Sequence, residues 1–171
     1  MYGNIIIAIL HIFAKNSNMA DCFSQIYVQF VFAVKNRDAL IMPEWEDELY
    51  KYISGIITNK GQKPLAINGT HNHIHIFVNL KPNCCISDLV REIKKASNAF
   101  VKDKKLSKFK FEWQSGYGAF SYSISQIDNV IKYINNQKEH HRKHTFKEEF
   151  HNFIEKFQIE YNEEYSFEWI E

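Results

Sequence analysis

The stretch HNHIHIFVNL, His71 to Leu80, restricts the fold more than any other part of the chain. Its residues alternate, and a period of two belongs to a β-strand, whose successive side chains point to opposite faces. Ile74, Ile76, Val78 and Leu80 then form one face, and His71, His73, His75 and Phe77 the other. The aliphatic face requires a core to cover it. The imidazole face requires polar partners, an ion or a ligand, so the chain must build a sheet whose two faces differ in chemistry.

The remaining pattern supplies that sheet. Ser24–Val34 is β-branched and aromatic and reads as a central strand, followed by a turn at Lys35–Asp38. Apolar spacing of three and four then gives a helix between Pro43 and Gly61. KPLAINGT is a short strand that pairs with the histidine strand as a hairpin. A second helix carries Leu89, Val90, Ile93, Ala96, Phe100 and Val101 on its apolar stripe. FEWQSGYGAFSYSIS reads as another strand, with glycines flanking Tyr117. The spacing Ser125 to Asp128 predicts a capping box that opens a third helix, with Ile127, Val130, Ile131 and Ile134 facing the core. Thr145 and Glu148 predict a second box, opening a helix with Phe146, Phe150, Phe153, Ile154 and Phe157 on one side.

This order predicts an α+β fold: a ferredoxin-like split βαβ, with an antiparallel sheet, helices on one face and further C-terminal helices. Residues 21–145 form the body of one domain. Residues 146–171, a helix and an acidic aromatic tail, are expected to pack on it. Residues 1–20 read as an extension, open to two readings: an upstream or weakly ordered segment before a natural start at Met19, or an ordered extra strand or helix. Its apolar run, Ile5–Ala14, is too short to cross a bilayer and argues against a membrane role. Three cysteines, two of them adjacent at Cys84 and Cys85, give neither a disulfide framework nor a zinc pattern, so free thiols and a cytoplasmic location are expected.

Bulk charge, +1 overall, points to no partner, but its distribution does. Arg91–Lys110 carries eight basic and two acidic side chains, a local net of +6 that suits a polyanion. Two strand histidines two apart can turn nitrogens toward one ion. An amidohydrolase barrel would need about 250 residues. A zinc protease would need HExxH, and a cupin a glutamate soon after the pair. None of these requirements is met. Tyr133 and Gln137, four apart on the third helix, lie on its flank with Gln126, Asn129 and His140. A tyrosine oxygen is a competent nucleophile on a phosphate polarised by such an ion. Aromatics near Tyr117 and Phe120 suit base stacking.

These residues resemble a known family. HIHIFV resembles the histidine–hydrophobic–histidine signature of the HUH nuclease superfamily. WQSGYGAFSYS…VIKYINNQKEHH resembles the catalytic-helix region of the single-tyrosine transposases of the two-hundred/six-hundred-and-five insertion-sequence group. QFVFAVKNRDALI and LVREIKKASNAFVK resemble that group's first strand and basic helix. The resemblance spans about Ser24 to His144. It implies His73, His75 and Gln137 as metal ligands, Tyr133 as nucleophile, and Mg²⁺ or Mn²⁺ as the ion. It also implies a homodimer that cleaves single-stranded DNA at hairpin-marked element ends through a 5′-phosphotyrosine and rejoins it, a chemistry shared by proteins associated with repetitive extragenic palindromes. Lys35, Arg37, Arg91, Lys94, Lys95, Lys102, Lys104, Lys105 and Tyr117 are the expected DNA contacts.

The group's usual acidic residue before the first histidine is here Asn72. His140, His141 and His144 are expected as phosphate contacts or surface residues. Two other readings stay open: a non-catalytic nucleic-acid-binding module on the same scaffold, and a metal phosphodiesterase that uses water.

Overall fold

Two eight-residue strands, the first apolar and the second alternating, form the centre of the sheet. In the computed structural model, which describes residues 23–35, 40–160 and 169, β1 (Ile26–Ala33) pairs antiparallel with β3 (His73–Leu80). β2 (Lys63–Gly69) lies outside β3, and β4 (Gly118–Tyr122) outside β1, giving the order β2-β3-β1-β4. With α1 (Glu46–Asn59) and α2 (Ile86–Asp103) between them, the elements run β-α-β-β-α-β, as the split βαβ reading expects.

Register decides which side chains share a face. Phe30 stands opposite Ile76 and Phe32 opposite Ile74, while Gln29, Val31 and Ala33 stand opposite Phe77, His75 and His73. The aliphatic face is covered by α1 and α2, whose Leu49, Ile53, Ile57 and Ile93 are fully buried. Each such side chain contributes about 1.5–3 kcal/mol on burial. Trp113 closes this layer edge-on against Phe32, ring centroids 4.8 Å apart. Its indole N–H donates to Ser97 Oγ at 2.8 Å, inside α2. Ser97→Ala leaves that buried donor without an acceptor, so urea unfolding of the variant is expected to lose about 1–3 kcal/mol.

The C-terminal helices cover the other face. They are α3 (Ile127–Asn135), the single turn α4 (Gln137–His140) and α5 (Phe146–Lys156). Val130 and Ile134 pack on Tyr27, Ala66 and Phe77, and Phe146, Phe150 and Phe153 on Val31, Ala33 and Phe120.

Two local expectations need correction. The capping box before α3 is Ser123 with Gln126, two residues earlier than the spacing suggests, and it opens a 3₁₀ turn at Ile124–Gln126. Gln126 reaches back to the Ser123 amide, so Ser125 lies inside the turn. The third helix also breaks at Asn136. There Asn68 of β2 donates to the carbonyls of Ile134 and Asn135, both at 3.0 Å, and so satisfies helix-end acceptors. The Thr145–Glu148 box forms as expected. Trp169 packs on Phe146 and Phe150. The expected extension, residues 1–20, lies outside the described residues, as do Arg37 and the rest of the tail.

Candidate active site and metal centre

The alternation of β3 buries His73 and His75 completely on the face that α3 and α5 cover. His71 precedes the strand and is exposed, so it is not part of this face. Asn72 does the orienting that an acidic residue would do: its Oδ1 accepts from His73 Nδ1 at 2.7 Å and from the Thr70 hydroxyl at 2.8 Å. His75 is held from β1, where Gln29 Nε2 donates to Nδ1 at 2.7 Å and Gln29 Oε1 accepts from Tyr122 at 2.8 Å.

Both histidines point Nε2 at a residue the sequence reading assigned no role. Glu149, on α5, is 3 % exposed, and its Oε2 lies 3.4 Å from His73 Nε2 and 3.2 Å from His75 Nε2. His141 Nε2 approaches the same oxygen at 3.3 Å, while its Nδ1 donates to the His144 carbonyl at 2.8 Å. The second carboxylate oxygen, Oε1, accepts from the Tyr133 hydroxyl and, at 2.9 Å, from Gln137 Nε2. Tyr133 and Gln137 thus meet the strand histidines within one chain, through Glu149. His141 is half-buried in the cluster and His140 borders it, 3.8 Å from Oε1.

Electrostatics follow from this burial. Burial opposes the Glu149 charge, but His75 first, with the His141 and His73 imidazoles beside it, outweighs that and holds its carboxyl far below the usual range. Burial pushes the His73 imidazole down to about 3, against the opposing pull of Glu149, so the ring is neutral at pH 7. Burial and then the Glu149 charge push the Tyr133 phenol above its ordinary value, so it stays protonated in this arrangement.

The donor set fits a divalent ion. His73, His75, His141 and Glu149 each offer one ligand atom, all within 4.8 Å of one another. His73 Nε2, Gln137 Oε1 and His140 Nε2 are buried there without a hydrogen bond, and buried polar groups are ordinarily paired.

Beside Tyr133 a cleft of about 420 Å³ opens between α3 and α5, lined by Tyr122, Gln126, Asn129, Asn152, Phe153 and Lys156 among others. A second cleft, of about 440 Å³, carries Lys132 and Lys143 on the far side of Tyr133 and His140. These lysines were not singled out from the sequence: Lys132 lies on α3 and Lys143 in the turn between α4 and α5, apart from the basic run at Arg91–Lys110.

The basic helix α2 packs on the opposite face of the sheet from Tyr133. Its Lys95 and Lys102 are exposed, as is Lys105 just beyond it. Arg91 pairs with Asp88 at 2.7 Å and Lys104 with Glu48 at 3.4 Å. Lys35 pairs with Glu112 at 3.8 Å. Lys94 is turned inward: its ammonium donates to the carbonyls of Gln114 at 2.8 Å and Ser115 at 3.3 Å, as well as to Gly116, and lies over the Phe32 ring. Tyr117 lies in the loop before β4 and packs on the aliphatic-face core. Among the described residues no helix is long and apolar enough to cross a membrane.

Comparison with known proteins agrees with this architecture. A family model described as "Transposase IS200 like" matches residues 22–137. No curated protein matches the chain. A candidate transposase from Deinococcus radiodurans R1 has a similar structure, with a TM-score of 0.55 at 20% identity over 71% of this chain and 97% of that one. A REP-associated tyrosine transposase, solved bound to a REP hairpin, is similar at a TM-score of 0.54 and 16% identity, over 73% and 74% of the two chains. At these identities the likeness is one of fold.

Proposed function

The chain belongs to the IS200-like transposases, and from that premise we propose that it cleaves and rejoins single-stranded DNA at hairpin-marked element ends through Tyr133. One observation carries the reading: the Tyr133 hydroxyl and the His73 and His75 imidazoles converge on one buried carboxylate. Nucleophile and candidate ion site are then neighbours. In the reaction, the Tyr133 oxygen forms a bond to phosphorus and the bond from phosphorus to the 3′ oxygen breaks. The phenolic proton is lost, the 3′ oxygen gains one, and the DNA 5′ phosphate is left on the tyrosine. Rejoining reverses each change when a 3′ hydroxyl attacks.

A divalent ion bound at the histidines, Mg²⁺ or Mn²⁺ by the family resemblance, supplies charge to polarise the phosphate. Residues of this chain do the rest. Gln137 and Glu149 hold the Tyr133 hydroxyl toward the histidines, and Lys132, Lys143 and Lys156 line the clefts through which a phosphate backbone would approach. The exposed lysines around α2 offer a second phosphate-binding patch for the hairpin.

The test is a denaturing gel of the protein after incubation with a pool of hairpin-bearing single-stranded oligonucleotides and Mg²⁺ or Mn²⁺. A covalent protein–DNA band is expected. Cleavage without such a band favours attack by water, and binding without cleavage favours a non-catalytic module. Either result overturns the proposal.

A further inference from the structure

We propose that the ion is held by four protein donors, His73, His75, His141 and Glu149, with Gln137 positioning the carboxylate instead of ligating, and that this set selects a borderline transition ion over Mg²⁺. The inference deepens the reading of the Tyr133 site and rests on it. It departs from the ligand set that the family resemblance implies, because two of the four donors come from beyond residue 137, where the family match ends.

The argument begins with tautomers. His73 Nδ1 donates to Asn72 Oδ1, and His141 Nδ1 donates to the His144 carbonyl, so each ring presents a bare Nε2 lone pair inward. Those lone pairs face Glu149 Oε2 at 3.4 and 3.3 Å. Two lone pairs and a carboxylate oxygen repel one another unless a cation stands among them. Four donors placed ~2.0–2.1 Å from one ion lie about 3.3 Å apart in a tetrahedron. The three edges to Oε2, 3.2, 3.3 and 3.4 Å, match that length, and the imidazole nitrogens, within 4.8 Å of one another, would draw together on the ion.

Glu149 divides its two oxygens. Oε2 faces the three imidazoles, and Oε1 takes the Tyr133 hydroxyl and the Gln137 amide. With its amide nitrogen turned to Glu149, Gln137 braces the carboxylate. His75 joins the set when the Gln29 amide reverses. Oε1 then accepts from Nδ1–H, Nε2 of Gln29 donates to the Tyr122 oxygen, and His75 Nε2 is freed. Three imidazoles and one carboxylate suit ions of the Zn²⁺ and Co²⁺ kind, whereas Mg²⁺ prefers six oxygens.

The test titrates the chelator-stripped full chain, without DNA, with Co²⁺, Zn²⁺ and Mg²⁺, following visible absorption for Co²⁺ and heat for all three. The wild type is expected to give the intense visible bands of four-coordinate Co²⁺, and to keep Zn²⁺ in a large excess of Mg²⁺. Glu149→Gln and His141→Ala should each weaken Co²⁺ binding by at least about tenfold and alter the bands. Gln137→Ala should keep a four-coordinate spectrum even if affinity falls. His141 is only half-buried, so its variant remains informative if Glu149→Gln fails to fold. A weak six-coordinate spectrum, no binding by the wild type, or variants at Glu149 and His141 that bind as tightly as the wild type would each overturn the proposal. With no DNA present, this titration and the adduct gel fail independently.

Discussion

Tyr133→Phe is expected to abolish the covalent protein–DNA band and to lower cleavage by about 10⁴-fold or more, the scale of losing a catalytic nucleophile, while changing DNA affinity by less than about threefold. The substitution removes one oxygen and leaves the ring. That ring is held by neighbours, with centroids 5.3 Å from His140 and 6.1 Å from Phe153. The oxygen donates to Glu149 Oε1, which keeps its bond from Gln137 at 2.9 Å. No buried charge is therefore stranded, and the fold should persist. The proposed phosphate contacts lie on other side chains, so binding measured by fluorescence anisotropy should survive. An adduct that persists in Tyr133→Phe would remove the tyrosine from the mechanism. The raised phenol pKa sharpens the expectation further. With burial and the Glu149 charge both holding the proton on, Tyr133 is a poor nucleophile until a cation offsets that carboxylate.

How much of this was legible in the sequence depends on which forces are local. The alternation through His73 and His75 and the apolar run of β1 are period-two signals, and they gave the central strands, their faces and the imidazole surface directly. Tyr133 was legible because it lies off the apolar stripe of α3, and Gln137 because it follows four residues later, although it opens α4 beyond the break. The break at Asn136 was not, since it is stabilised by Asn68, a residue 67 positions away from Asn135 along the chain. Glu149 was missed for a different reason. It looks like one more acid in an acidic helix, yet it lies three residues after Phe146 and one before Phe150, inside the apolar stripe. A carboxylate on a buried stripe needs a partner, and that was the available signal. His141 carried no such mark, because its turn between α4 and α5 has no period to read.

The largest stability effect should come from a residue far smaller than any of these. Gly69 ends β2 opposite Ile74, and a Cβ built there lies 2.2 Å from the His73 carbonyl oxygen and 2.8 Å from the Ile74 Cα. Both contacts are backbone, so no side chain can swing away. Gly69→Ala must push β2 off β3 at the point where His73 enters the site, and it should cost more than about 3 kcal/mol in urea unfolding, the range of substitutions with a steric or strained-backbone cause. It should weaken Co²⁺ binding as well, since the displaced carbonyl belongs to a candidate ligand. Gly55, exposed in the middle of α1 with nothing within 4 Å of a built Cβ, supplies the opposite case. Gly55→Ala should stabilise the fold by about 0.5–1 kcal/mol and leave metal binding unchanged, because it only removes backbone freedom from the unfolded chain. If Gly69→Ala unfolds within 1 kcal/mol of the wild type, the β2–β3 register cannot be what places His73. The imidazole face would then have to be positioned from β1 and α5 instead.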